Sequence, residues 1–417
     1  MNDDQPGPLH AFGGYGIELE YMIVDRDSLS VLPMADCLLH EAGGSEGNEV
    51  RRGVLGWSNE LVLHVIEVKN VKPVEALTML PEAFQNEVRH IDRLLEAHGA
   101  VLMPTAMHPW MDPLHETHLW PHDNDAIYRS YDRIFNSKSH GWANLQSMHI
   151  NLPFANDKEF ARLHAAIRLV LPILPALAAS SPIVEGRDTG WADYRMRAYT
   201  DNSRHIPSIT GMVVPETITS RVAYEQKILA PMYRDIAQHD TEQVLRYEWL
   251  NSRGAIARFD RNAIEIRVID TQECPRADLA IAAATSSVVR ALYRERKTSL
   301  VEQQEVQTNA LAAILQDCIR DAERTVIGHA EYLRQLGFPD RCGNAQEVWT
   351  YLIDEMQRDD PVHAGLWDEP LRMILKKGPL ARRILQAVDG DYSRPALHAV
   401  YGELCGCLQE GKMFSGV

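Results

Sequence analysis

At 417 residues with a 45% apolar share, the chain can build a sizeable core, as one large domain or as two to three ordinary ones. A formal net charge of −16 argues against nucleic acid or an anionic membrane surface as the main partner, while a nucleotide held by local arginines and metal stays open. No apolar run reaches the ~18 residues that span a bilayer, Met1 to Pro8 is polar and acidic, and the six cysteines lack paired metal spacing, so a soluble, cytoplasmic protein is expected.

The first half alternates strand and helix signals. Gly16 to Val24 and Glu60 to Val68 read as strands, and Pro73 to Gly99 has helical periodicity between a Pro start and a Gly stop. Ala100 to Met103 reads as a short strand and Leu145 to Pro153 as a longer one. Asp157 to Ala179 reads as a helix that Pro172 and Pro175 should bend or break. Ala255 to Phe259, a turn at Asp260 to Asn262 and Ala263 to Ile269 form a candidate hairpin. Beyond Pro275 helix dominates: Ala277 to Arg296, Ser299 to Leu336, Ala345 to Arg358 and Leu380 to Val388. Strands first and helices last predict an α+β fold. Chemistry is expected within 1–300 and a helical region at 301–417 packed against it; Trp349, Leu352 and Trp367 fit its core better than a homo-oligomer contact.

Five carboxylates lie on the strand-like stretches. Glu18 and Glu20 share one face of the first strand, because side chains alternate with period two. Glu60 and Glu67 are seven apart, an odd interval, so Glu60 sits in a turn before the strand or a bulge intervenes. Lys69 shares the Glu67 face, which leaves a plain ion pair as the alternative for Glu67. Ser147, His149 and Asn151 share a face, as do Glu265 and Arg267, where a surface ion pair is the alternative. Asp270 falls on the opposite parity and is expected only to end its strand. Arg187, Arg195 and Arg197 crowd a glycine-flanked loop and suggest a basic patch for an anion. Clustered carboxylates are costly without a cation, and oxygen-rich ligation suits Mg²⁺ or Mn²⁺, which commonly arrives with ATP.

Together these segments resemble glutamate–cysteine ligase family 2, the bacterial carboxylate–amine ligases. The matching pieces are GIELEYMIVD at 16–25, Glu60 with Glu67, MHINLPF at 148–154, SSPIVEGRDTGWADYR at 180–195 and AIEIRVID at 263–270, spanning residues 13–290. The resemblance implies a glutamine-synthetase-like fold, a curved, mostly antiparallel sheet that forms a funnel with helices outside. It implies that ATP activates a carboxylate, typically the γ-carboxyl of glutamate, as an acyl phosphate that an amine then attacks. It makes Glu18, Glu20, Glu60, Glu67, His149 and Glu265 candidate Mg²⁺ ligands. Arg267 would neutralise the transferring phosphoryl and Arg195 would hold a substrate carboxylate or phosphate. Ser147, Asn151, Arg187 and Arg197 are the further candidates for nucleotide contact. Leu19 stands where many members carry another acid, which implies a change in metal number. A guanidino or amine phosphotransferase, with Cys274 as its nearest cysteine, and a nucleotide-binding homologue without catalysis remain the alternatives.

Overall fold

In the computed structural model, which describes residues 7–43 and 48–416, the strand alternation read at Gly16 extends through β1, Gly16–Asp25. Ile17, Leu19, Tyr21 and Ile23 are fully buried on one face. Glu18 and Glu20 lie on the other. The remaining strands of the main sheet are β2 (Glu49–Arg52), β3 (Leu55–Asn59), β4 (Val65–Asn70), β5 (Ala100–Met103), β6 (Ser147–Pro153), β7 (Ala255–Arg258) and β8 (Ala263–Asp270). Their order is β2-β3-β4-β1-β6-β8-β7, with β5 also paired to β1, and every pairing is antiparallel. The sheet is open, and the architecture is the expected α+β.

Helices cover the apolar face. Helix Pro81–Glu96 places Phe84, Val88, Ile91 and Leu95 on one buried stripe, the spacing of an amphipathic helix. It starts eight residues later than Pro73 suggested. Ala76 is extended and Leu77–Met79 forms a 3-10 turn, after which Pro81 takes the first helical turn, where a missing N–H costs nothing. Asp157–Val170 ends before Pro172, and a 3-10 turn at Leu171–Ile173 leads into Pro175–Ala178, the break the two prolines called for.

The C-terminal third departs further from expectation. The single helix over 299–336 is instead Leu300–Glu305, Thr308–Asp321 and Ala330–Gln335. Val306 turns the chain to an extended conformation and Ala322 takes a positive φ of 49°, and neither geometry propagates a helix. Helices Pro361–Lys377 and Arg394–Glu410 were not anticipated, and the Cys405-Gly-Cys407 segment lies on the second. A single hydrophobic cluster joins Leu19, Ile150 and Ile266 of the sheet to Leu279, Leu311 and Trp349 of the helices. Trp349, Leu352 and Trp367 are buried in that core. The residue-300 division is therefore crossed by continuous packing. Among the described residues no helix is long and apolar enough to cross a membrane.

Candidate active site

Strand register brings the charged residues together. Glu18 stands opposite Lys69 of β4 and opposite His149 of β6, while Glu20 stands opposite Glu67. Ser58 pairs with Glu67, and Glu265 of β8 pairs with Asn151. Directly opposed residues in an antiparallel ladder share a face, so five strands present one polar wall. Gly16 is required beside it: a Cβ there would meet the Asn151 Cβ at 2.9 Å. Without one, the Asn151 side chain lies against β1 and its Nδ2 donates to Glu18 Oε1 at 3.1 Å. Glu60 lies between β3 and β4, in the turn, which settles the odd spacing from Glu67. Leu19 points away into the core, so an acid at that position would face the helices; the expected effect on metal number does not arise there.

The wall borders a cleft of about 340 Å³, within the range of small-ligand sites. Glu20 accepts from the Ser147 N–H at 2.7 Å and from its hydroxyl at 3.2 Å. His149 Nδ1 lies 3.0 Å from Glu18 Oε2 and 3.8 Å from Glu265 Oε1. Burial opposes charge on this ring, but the bond to Glu18 and the charges of Glu20 and Glu265 outweigh it and raise its pKa to about 9. The Glu18 carboxyl, despite burial, is held below the usual carboxylate range by the hydrogen bond and charge of His149. Arg267 donates to Glu265 Oε1 at 3.0 and 2.7 Å, and Arg258 donates to its Oε2 at 3.3 Å. The Glu265–Arg267 pair forms as its spacing suggested, in a buried setting rather than on the surface.

Two groups can hold a cation. Oxygen or nitrogen atoms of Glu18, Glu67 and His149, and separately of Glu20, Glu60 and Glu67, all approach within 4.8 Å of one another. Burial, then the charges of Glu20 and Glu67, push the Glu60 carboxyl well above its usual range. Glu67 is likewise raised by burial, which Lys69 only partly offsets. Carboxylates pressed together in this way fit a hard divalent ion, and the oxygen-rich donor set suits Mg²⁺ or Mn²⁺. Glu265 stands outside both groups, with each oxygen engaged by an arginine.

Several contributors were not visible in the sequence. In β8 the register against β6 slips between Ile266 and Ile269, so Arg267 and Val268 form a bulge and Asp270 lands opposite Ser147. This reverses the parity expected for Asp270 and turns it to the polar face. There, fully buried, it accepts from Arg195 Nε at 2.5 Å, from the Ser181 hydroxyl at 2.9 Å and from the Ser180 N–H at 2.8 Å. Asp270 thus anchors the 180–195 segment to the sheet, a role beyond ending its strand. Burial and the neighbouring Asp270 raise the Asp193 carboxyl well above its usual range, against the pull of Arg195. Arg195 keeps one Nη2 buried without a hydrogen-bond partner, and the residue lines the cleft.

The expected three-arginine patch is not assembled. Arg187, on a short ladder of Ile183–Val184 with Arg187–Asp188, is exposed and pairs with Glu185 at 2.8 Å. Arg197 pairs with Asp201 at 2.6 Å and lies over the Trp191 ring. Two residues apart on the helix Tyr194–Asp201, Arg195 and Arg197 point in different directions. Of the three, only Arg195 lines the cleft. Ser147 and Asn151 are committed to Glu20, His149 and Glu18, so they brace the wall. Cys274 is fully buried, its thiol pushed up by burial, and stands outside the cleft.

An aromatic rim completes the cleft. Tyr128 and Tyr131 come from the helix Asp125–Phe135, with Trp142 5.1 Å from the Tyr131 ring, and Tyr199 adds a fourth ring. The i,i+3 spacing of the tyrosines in DAIYRSYDRIF was the available signal. Arg258 and Arg261, at the β7–β8 turn, add positive charge to the lining, near Glu265 and Glu18 respectively.

The sequence model of glutamate–cysteine ligase family 2 (GCS2) matches residues 15–401. An uncharacterized protein of Archaeoglobus fulgidus is 31% identical over 399 residues, covering 96% of this chain and 99% of its own. A protein of Bradyrhizobium diazoefficiens named "Putative glutamate--cysteine ligase 2" is 25% identical over 380 residues, covering 89% and 79%. The fold is similar to that of the glutamate–cysteine ligase of Francisella tularensis solved with AMP, at a TM-score of 0.61 and 11% identity, over 96% of this chain and 90% of that one. With the family model spanning β1 to the last helix, the chain belongs to glutamate–cysteine ligase family 2.

Proposed function

We propose that the protein is an ATP-dependent carboxylate–amine ligase that joins a small carboxylic acid, such as the γ-carboxyl of glutamate, to an amine. The observation that carries this reading is the convergence of five carboxylates on one cleft with arginines that a phosphoryl group and a substrate carboxylate both need. The AMP bound to the related Francisella ligase supports a nucleotide as cosubstrate.

In the proposed reaction a carboxylate oxygen of the substrate attacks the γ-phosphorus of ATP, ADP leaves, and an acyl phosphate forms. The amine nitrogen then attacks the acyl carbon, phosphate departs with the bonding electrons, and the nitrogen loses its proton. Mg²⁺ or Mn²⁺, when bound by Glu18, Glu20, Glu60 and Glu67, with His149 joining once its ring has given up its proton, would supply neutralisation of phosphate charge. Phosphoryl transfer needs positioning and charge compensation more than covalent assistance. Arg267, locked by Glu265, presents a planar guanidinium beside the cleft for the transferring group. Glu265 here positions that arginine as well as adding to the acidic wall. Arg195, fixed by Asp270, directs its unpartnered Nη2 to a substrate carboxylate. Tyr128, Tyr131 and Trp142 reduce water access and so protect an acyl phosphate from hydrolysis.

The test is phosphate release from ATP with Mg²⁺, glutamate and a pool of amines, for the native chain and for Glu265→Gln. Release that requires both a carboxylate and an amine, falling by about 100-fold or more in the variant, is the expected result. Hydroxylamine should then trap the acyl group as a hydroxamate. Release with one substrate alone points to a phosphotransferase instead, and MgATP binding without release under any pool points to a binding protein.

A further inference from the structure

One cation of the acidic wall is already part of the chain. Lys69 Nζ lies 2.6 Å from Glu67 Oε1 and 2.8 Å from the Ser58 hydroxyl, which itself donates to the same Glu67 oxygen at 2.7 Å. The position is dictated by register. Lys69 faces Glu18 across β1 and Gly56 across β3. Its side chain is 26% exposed, so the stem is packed while the ammonium sits inside the acidic group.

The location matters because the two groups able to hold a cation share a single residue. Glu67 belongs both to the set with Glu18 and His149 and to the set with Glu20 and Glu60. A carboxylate serves two cations by giving one oxygen to each. Here Oε1 is engaged by an ammonium and a hydroxyl, whereas Oε2 accepts no hydrogen bond among the described residues. Only one oxygen of the shared ligand is therefore open to a metal ion.

We propose that Lys69 is a built-in replacement for one divalent cation, so that this chain binds one ion fewer at Glu67 than its carboxylates could support. The inference rests on the acidic wall being a metal site, and it narrows what that site takes. An ammonium offers one charge and no open coordination position, so Lys69 balances Glu67 and orients it toward the neighbouring ion without polarising a phosphate as a second ion would. Lys69 is a positioning residue here, acting through Glu67.

Calorimetric titration of the full chain with Mn²⁺, without nucleotide, tests this by counting ions rather than measuring turnover. Lys69→Met and Lys69→Gln remove the ammonium, and Lys69→Arg retains a cation. The two neutral variants should bind one more Mn²⁺ per chain than the native protein, while Lys69→Arg keeps the native count. Stoichiometry is the readout because loss of a positive charge tightens any nearby cation site without creating one. Equal counts for the native chain and both neutral variants, with native circular dichroism and unfolding transitions, would overturn the role given to Lys69 and leave the metal reading intact. No Mn²⁺ binding by the native chain or by any variant would overturn both.

Discussion

The two faces of the main sheet share one backbone and differ in what holds them. On the helical face, Ile17, Leu19, Met148, Ile150 and Ile266 are buried against apolar neighbours, and the stabilisation comes from removing apolar area from water, about 25 cal/mol per Å². On the cleft face, the equally ordered Glu20, Glu67 and Glu265 gain little from burial and depend on named partners: Ser147, Lys69, Arg267 and Arg258. A volume error breaks the first face and a charge error breaks the second. The contrast also supports the cleft face as the place of the proposed function, because of the two it is the one that stores unbalanced charge a ligand can relieve.

The largest effect should come where the faces exchange roles, at the β8 bulge. Asp270→Ala removes the acceptor of buried Arg195 and of the Ser180-Ser181 segment, leaving a buried guanidinium without its hydrogen-bonded carboxylate. A loss of about 3–5 kcal/mol in urea unfolding is expected, with substrate-dependent turnover lost in what remains folded. A cost under about 1 kcal/mol would show that the bulge is not an anchor.

A smaller effect should follow from acid, and it tests the buried neutral groups away from the cleft. Burial lowers the pKa of both His108 and His164 to about 3. Since the folded values lie below the unfolded value of ~6.5, the unfolded chain takes up protons first. Their contribution is complete above pH ~6.5 and is lost progressively as pH falls toward about 3, at about 1.4 kcal/mol per pH unit for each ring. Urea midpoints measured from pH 7.5 to 5 should decline accordingly, and the decline should flatten in His164→Phe. An unchanged slope in that variant would remove His164 from the account.

The smallest effect sharpens the contrast most. Glu60→Gln removes a carboxyl pressed against Glu20 and Glu67, so in EDTA the variant should be as stable as the native chain or more stable by about 1 kcal/mol. Its Mn²⁺ affinity and turnover should nonetheless fall. Destabilisation without loss of either would mean that Glu60 braces the fold.

Much of the wall was legible because it is local. The same-face pairs Glu18 with Glu20, and Glu265 with Arg267, require only period-two alternation, and the hairpin at 255–269 announces itself by a turn at Asp260 to Asn262, where Asn262 takes a positive φ of 51°. The short strands β2 and β3 were missed, since Glu49–Arg52 is mostly charged and Leu55–Asn59 mixes Gly, Ser and Asn, whereas the equally short β5 is a continuous apolar run. Helix Pro361–Lys377 carries Pro370 within it, and Arg394–Glu410 carries Gly402 and Gly406, residues that weaken a helical signal and that tertiary packing overrides. The three-arginine patch failed for the opposite reason. Proximity along the chain was taken for proximity in space, whereas a helix turns about 100° per residue and separates Arg195 from Arg197.

By itself, then, the amino-acid order determined which residues alternate, which faces are apolar and which segments carry carboxylates, because those follow from backbone periodicity and solvation. Tertiary structure alone decided which strand lies beside which, that a bulge turns Asp270 toward Arg195, and that Glu67, whose pairing with Lys69 the alternation already offered, is the carboxylate shared by both cation groups. Register and bulges arise from pairing between segments up to a hundred or more residues apart, and hydrogen bonds across a sheet leave no periodic trace along a single strand.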